Sequence, residues 1–309
     1  MISNALRLGT RGSPLALWQA NHIAGLLRPF VAPHAVELVL IETHGDRDRA
    51  TALRDMGGFG VFTKAIQTAL VEQRAEVAVH SLKDLPTLPT EGTELAAVPE
   101  RGPTGDAFLS RKYRRFDDLP EGAVVGTSSL RRRAQALNRR RDLKLIDLRG
   151  NVETRLRKLD EGNFDAIILA EAGLMRLGLA EHITERLDTS WMLPAVGQGA
   201  IGLECRSSDA ESRGLVSALT DASTWQRVQA ERAMLSALGG GCLVPIGTTT
   251  IVADGVLTIR GAVLSADGRR RVVATHAGPA ETPLAVGQEL AAMLLAEGAG
   301  EILKTDAIR

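Results

Sequence analysis

The chain has 309 residues, 44% hydrophobic and 24% charged, which predicts two or three domains of ordinary globular composition with 37 basic and 37 acidic residues in balance. No apolar run nears the ~20 residues of a bilayer span, the six histidines lack metal-ligand spacing such as HExxH, and two cysteines build no disulfide framework. These features argue against a membrane-spanning protein, a metal centre and a disulfide-stapled domain, and the first residues, MISNALRLGTRGSPLALW, do not read as a signal peptide, so the expected compartment is the cytoplasm.

ALRLGTR (5–11) predicts a strand running into a helix, with Ser13 as cap and Pro14 at the first helical position, where a missing N–H costs nothing. Leu15, Trp18, His22 and Leu26 recur at helical spacing, widened by Leu17 and Ala20, and mark the expected apolar stripe. AVELVLIET (35–43) predicts a second strand. GDRDRATALRDMGGFG (45–60) is polar and long for a connection, which suggests a lid. VFTKAIQTALVEQRA (61–75) predicts a helix and EVAVH (76–80) a strand ending in SLKDLP. The pattern then repeats. AVVGTSS (123–129) enters the helix LRRRAQALNRR; LKLIDLRG (143–150) is a strand before a helix that Asn151 caps; FDAIILA (164–170) is a strand before a helix through Arg176. Such alternation predicts an α/β fold of two lobes with mainly parallel sheets, and GTSS in the second lobe parallels TRGSP in the first. A helix at 224–238 leads into GGGCLVPIG (239–247). Two Asp-Gly turns, at 254–255 and 267–268, then separate three alternating runs, which predicts a smaller α+β domain with a three-stranded antiparallel sheet and a closing helix. The expected domains are 1–99 with 200–219, 100–199, and 220–309.

Ligands of open parallel sheets bind beyond the carboxyl ends of the strands. Arg11 and Ser13 lie past the first strand. Ser81, Lys83 and Asp84 follow the strand ending at His80. Thr127, Ser128, Ser129, Arg131 and Arg132 follow the next, and Arg149, Gly150 and Asn151 another, with Arg155 one helical turn on. Helix N-termini and arginine forks both favour anions. Between Thr127 and Lys158 stand 11 basic residues against 3 acidic ones, either a pair of solvated helix faces or a polyanion site. No phosphate loop of the form GxxxxGK[ST] is present. Aromatic residues make up only 3% of the chain, which leaves little stacking for RNA bases, so a small polycarboxylate fits best. Asp84 is either a salt-bridge partner of Lys83 or a nearby arginine, or a stabiliser of positive charge on the ligand. His80 reads as a strand-end packing residue. Cys205 sits in a continuous apolar run and reads as buried, whereas the glycines before Cys242 let it project a thiol into a cleft as nucleophile or anchor.

TRGSPLALWQA, VHSLKDLP, VGTSSLRRRAQ, LRGNVETRLRKLD, DAIILAEAGLMRLG, LPAVGQGAIGLECR and GGGCLVPIG run in that order from about residue 5 to about residue 250. In this ordered set the chain closely resembles the porphobilinogen deaminase family, also called hydroxymethylbilane synthases. The resemblance implies two lobes like those of periplasmic binding proteins and a third domain carrying the cysteine loop. It implies a transferase that condenses four molecules of porphobilinogen head to tail, with loss of ammonia, into hydroxymethylbilane. A dipyrromethane cofactor, joined by a thioether to Cys242, is the implied primer. Asp84 is then the catalytic carboxylate, facing the cationic pyrrole nitrogen that deamination creates. Ser13, Ser81, Lys83, Thr127, Ser129, Arg131 and Arg132 would hold the cofactor. Arg11, Arg149, Arg155 and Arg176 would hold substrate and growing chain; Gly150 and Gln198 belong to the same set of cofactor- and substrate-binding positions, and Gln198 lies on a segment linking the lobes. The resemblance implies a monomer with a small-molecule substrate, no metal, no nucleic acid and no membrane. Phe59, Ala65, Gly239 and Leu243 depart from residues common in the family. An anion-binding protein without catalysis, or an RNA-binding protein using the helix from Arg131 to Arg141, are the alternatives from other classes.

Overall fold

The structure is a computed structural model and describes residues 5–43, 45, 63–239 and 244–307. The expected lid (45–60) lies almost wholly outside the described residues, as do Phe59, Cys242 and Leu243. The chain divides into two compact units, Met1–Gly102 with Gly199–Trp225, and Pro103–Gln198 with Gln226–Arg309.

The first unit is built on strands β1 (Ala5–Thr10), β2 (Ala35–Leu40), β3 (Val77–Ser81), β4 (Thr93–Ala97) and β10 (Ile201–Arg206), in the order β2-β1-β3-β10-β4. β1 runs parallel to β2 and β3, and β10 is antiparallel to both β3 and β4, so four of the five strands point one way. Residues alternate between the two faces of the sheet. Leu6, Leu8, Val77, Val79 and Leu203 pack with helix α1 (Pro14–Val31), while Ala78 packs with Ile66 and Leu70 of helix α2 (Lys64–Val71). Helices on both faces explain why the strands read as nearly continuous apolar runs.

α1 forms where expected, with Ser13 Oγ accepting from Ala16 N, but a different face is buried. Gln19, Ala20, Ile23, Ala24, Leu27 and Val31 point inward, and Trp18, His22 and Leu26 are exposed. The two stripes are neighbours on one helix, and the inward one carries the branched aliphatics that fit a flat sheet. α2 ends at Val71 and not at residue 75 as expected, because Gln73 takes a positive φ and turns the chain toward β3. Helix α6 (Ala210–Ser217), capped by Asp209, completes this unit.

The second unit repeats the scheme with β5 (Asp106–Leu109), β6 (Val124–Gly126), β7 (Lys144–Ile146), β8 (Ala166–Ala170) and β9 (Glu185–Arg186), in the order β7-β6-β8-β5-β9. Here β6 is parallel to β7 and β8, and β5 is the reversed strand. In each sheet the reversed strand starts soon after the chain has passed from one unit to the other. Phe108, Val125, Leu145 and Ile168 face helix α3 (Leu130–Arg139). Ala107, Leu109, Ile167 and Leu169 face helices α4 (Val152–Asp160) and α5 (Glu171–Arg176). β7 ends at Ile146 and not at Gly150, because Gly150 has φ +115 and leads into the cap of α4.

The same unit holds an antiparallel sheet, β11 (Ile246–Ala253), β12 (Val256–Leu264) and β13 (Arg271–Pro279). Both Asp-Gly turns form as expected, with Gly255 at φ +74 and Gly268 at φ +70. Leu257, Ile259 and Val263 face Met234 of helix α7 (Ala222–Ala237), Leu290 and Leu294 of helix α8 (Pro283–Ala296), and Ile302 of helix α9 (Ala299–Ala307). Ala262 and Leu264, on the opposite face, pack with Ala134 of α3 and Leu193.

Candidate functional site

In the first unit the site residues gather where β1 and β3 end. Arg11 follows β1 and Ser13 caps α1. Gln19 Nε2 donates to Ser81 Oγ at 3.0 Å, so a buried amide on α1 fixes the last residue of β3. Leu82–Asp84 then form one 3-10 turn, pinned by the backbone N–H of Leu82 donating to the Ala200 carbonyl at 3.0 Å. Lys83 and Asp84 are half-buried on this turn. His80 Nε2 lies 3.0 Å from Glu204 Oε2, both side chains being buried. Thr93 Oγ1 at 2.6 Å and Gln67 Nε2 at 2.9 Å donate to Glu204 Oε1. Burial pushes the Glu204 carboxyl up, yet His80, Thr93 and Gln67 together hold it below its ordinary value. His80 is thus a packing and pairing residue at the strand end.

In the second unit the equivalent edge follows β6 and β7. Thr127 is buried, and its Oγ1 accepts from Ser129 N at 3.2 Å. Ser129 Oγ accepts from Arg132 N and caps α3. Each hydroxyl oxygen therefore takes up a backbone N–H and keeps its own hydrogen to donate. Asn151 Oδ1 accepts from Thr154 N at 2.9 Å and caps α4. Gly150 is required here, since at φ +115 a Cβ would lie 2.6 Å from the Thr154 side chain. Arg155 Nε donates to the Gly150 carbonyl at 2.8 Å. Arg149 Nη1 is buried with no hydrogen-bond partner among the described residues, and so is Arg131 Nε. Burial pulls the Arg176 guanidinium down to about 10, which marks a cation held away from water.

Arg131 and Arg132 are buried, and both reach Asp106, the first residue of β5. Burial pushes the Asp106 carboxyl up, but the two guanidiniums outweigh it and hold the group well below the usual carboxylate range. The remaining arginines of α3 are also engaged: Arg133 donates to the Leu145 carbonyl, and Arg139 pairs with Asp117 while lying 4.9 Å from the Trp191 ring centroid. Arg140, just past α3, pairs with Asp142. Four basic residues of this stretch, Arg131, Arg132, Arg133 and Arg140, are thus buried or half-buried and tied to protein acceptors, while Arg139 pairs with Asp117 at the surface.

Asp106 and Glu204 did not emerge from the sequence pattern. Their signal is a single acid inside an otherwise apolar strand, GDAFLS and IGLECR, which demands a buried cationic or hydrogen-bonded partner. Cys205, on the same strand as Glu204, is buried, and burial pushes its thiol up to about 12. Among the described residues no group of histidine, cysteine and acidic side chains could hold a metal ion.

Strand order and edge chemistry define an α/β protein of two like-built sheets, with capped helix starts and guanidiniums gathered near the strand ends. Residues 6–214 match the family model described as porphobilinogen deaminase, dipyrromethane cofactor binding domain, and residues 225–296 match the model of the porphobilinogen deaminase C-terminal domain. Porphobilinogen deaminases from two strains of Acidithiobacillus ferrooxidans are each 49% identical over 301 residues, 97% of this chain and 98% of theirs. The chain belongs to the porphobilinogen deaminase family. Among solved structures, a putative methionine-binding lipoprotein of Bacillus subtilis is similar at TM-score 0.44 and 11% identity, covering 69% of this chain and 88% of that one. A periplasmic substrate-binding protein of an ABC transporter from Coxiella burnetii is similar at TM-score 0.45 and 15% identity, covering 69% and 91%.

Proposed function

We infer that this chain performs the reaction of its family: it condenses four porphobilinogen molecules head to tail, releases ammonia with each, and delivers the linear tetrapyrrole hydroxymethylbilane. Dipyrromethane, the cofactor of the family's binding domain, supplies the pyrrole carbon from which the chain grows. The observation that carries the reading is the surplus of N–H donors in the second unit. Arg149 Nη1 and Arg131 Nε are buried donors without partners among the described residues, next to two capped helix starts. Pyrroles bearing acetate and propionate arms are polycarboxylates that would satisfy them.

On this reading Thr127, Ser129, Arg131, Arg132, Ser13, Ser81 and Lys83 hold the primer's carboxylates. Arg11, Arg149, Arg155 and Arg176 hold incoming substrate and the elongating chain. Loss of ammonia leaves positive charge on the substrate's pyrrole nitrogen. Asp84, held by the short turn after β3, is the fixed negative group that stabilises it, and it takes and returns the pyrrole proton. Cys242 forms the thioether to the primer, and the three sheets act as three domains. The chain works as a monomer in the cytoplasm; among the described residues no helix is long and apolar enough to cross a membrane.

Intact mass tests this. The purified chain should exceed its sequence mass by one dipyrromethane, peptide mapping should place the adduct on Cys242, and Cys242→Ser should lack both adduct and activity. An adduct on Cys205, or a fully active Cys242→Ser, would overturn the assignment.

A further inference from the structure

Asp106 accepts four hydrogen bonds from three residues, two of which, Arg131 and Arg132, the preceding reading places in the site. Arg131 Nη1 is 2.6 Å from Oδ2; Arg132 Nε and Nη2 are 2.9 and 2.7 Å from Oδ1; Gln198 Nε2 is 2.9 Å from Oδ1. Each donor is also tied to backbone. Arg131 Nη1 reaches the Leu193 carbonyl at 2.6 Å, Arg132 Nη1 the Ile168 carbonyl at 3.1 Å, and Gln198 Nε2 the Thr104 carbonyl at 2.7 Å. Adjacent residues on a helix point about 100° apart and do not ordinarily converge. Arg131 and Arg132 converge here because one carboxylate draws both.

A carboxylate serving only as counter-ion needs one guanidinium. This cluster holds two, both buried, around a carboxylate with no exposed surface, which leaves one positive charge uncompensated in a low-dielectric setting. An anionic ligand completes the balance. We propose that Asp106 is a positioning residue, which aims Arg131 and Arg132 so that their remaining N–H groups meet the carboxylates of the dipyrromethane primer. The proposal rests on the reading of those two arginines as primer-binding. Asp106 sets the angle of each fork, and the carbonyls of Leu193 and Ile168 fix its depth.

The experiment compares Asp106→Asn, Asp106→Glu and Leu290→Ala with wild type. Each protein is purified, its melting temperature measured, and its dipyrromethane content read by intact mass before and after incubation with porphobilinogen. Asp106→Asn keeps the shape and removes the charge; its loaded fraction should fall at least tenfold. Asp106→Glu keeps the charge but displaces the oxygens by one methylene, and should load to an intermediate level. Leu290→Ala truncates the core beside β12 and should melt earlier yet load fully. Full loading of Asp106→Asn, with only a lower melting temperature, would overturn the proposal. Should Asp106→Asn not accumulate as folded protein, full loading of Asp106→Glu would overturn it equally. Arg131→Leu and Arg132→Leu separate the two levels of the argument. If these variants load fully, the primer-binding reading fails; if they lose the primer while Asp106→Asn keeps it, only the role of Asp106 fails.

Discussion

Asp84→Asn keeps the shape of the side chain and removes its charge. If the carboxylate stabilises a cationic pyrrole, ammonia release in a single turnover should slow on the order of a hundredfold, with little change in melting temperature. If Asp84 only pairs with a neighbouring cation, the variant should melt earlier and react at a near-normal rate. The two cysteines give a second test at this scale. With its thiol pushed up to about 12 and its surface buried, Cys205 should resist iodoacetamide at pH 8 in the native protein and react once the chain is denatured. The denatured chain carrying the primer should then take one label, and the chain without it two; labelling of Cys205 in the native state would contradict its placement.

The two hairpin turns of the small sheet share a backbone conformation and differ in surroundings. At Gly255, φ +74, a Cβ would meet nothing within 4 Å; at Gly268, φ +70, it would lie 2.6 Å from both the Ala134 carbonyl oxygen and the Asn138 amide nitrogen of α3. Gly255→Ala should therefore cost only the left-handed strain, about 1–2 kcal/mol. Gly268→Ala adds overpacking against backbone, about 1–3 kcal/mol more. Denaturant melts of both variants read the difference; equal losses would mean that the second turn does not seat on α3. Both turns were legible in the sequence, because Asp-Gly dictates a turn locally. So were the caps Ser13 and Asn151, for the same reason, whereas Ser129 was placed only after its strand, and its capping of α3 came with the structure. The contact of Gly268 with α3 was not, since it joins residues more than a hundred positions apart. β5 and β10 escaped notice because their partners are distant in sequence and their apolar runs carry a buried acid. The face of α1 was misjudged because two apolar stripes compete on that helix, and only the sheet beneath it decides between them. That the candidate site positions lie near strand ends was legible, whereas the Asp106 hub was not.

Each unit buries a carboxylate, Glu204 in one and Asp106 in the other, that its partners hold below the ordinary range. As pH falls, the unfolded chain takes up these protons first. Stability therefore rises with pH between the folded and unfolded values, so both contributions are complete above about pH 4–5 and are lost on acidification below that. Thermal melts should be flat with respect to these groups near neutrality and fall below about pH 4. Glu204→Gln should lower the neutral melting temperature and shallow the acid limb; an unchanged limb would remove Glu204 from this account. The strand order has a consequence for synthesis. β4 pairs with β10, and β10 is also the neighbour of β3, so the first sheet has a gap until residue 206 has left the ribosome. The second sheet has all its strands once residue 186 has emerged. The later-encoded sheet can thus close before the earlier one. In that interval the nascent chain carries β3 and β4 as open edges, the form of strand most prone to pair with another molecule.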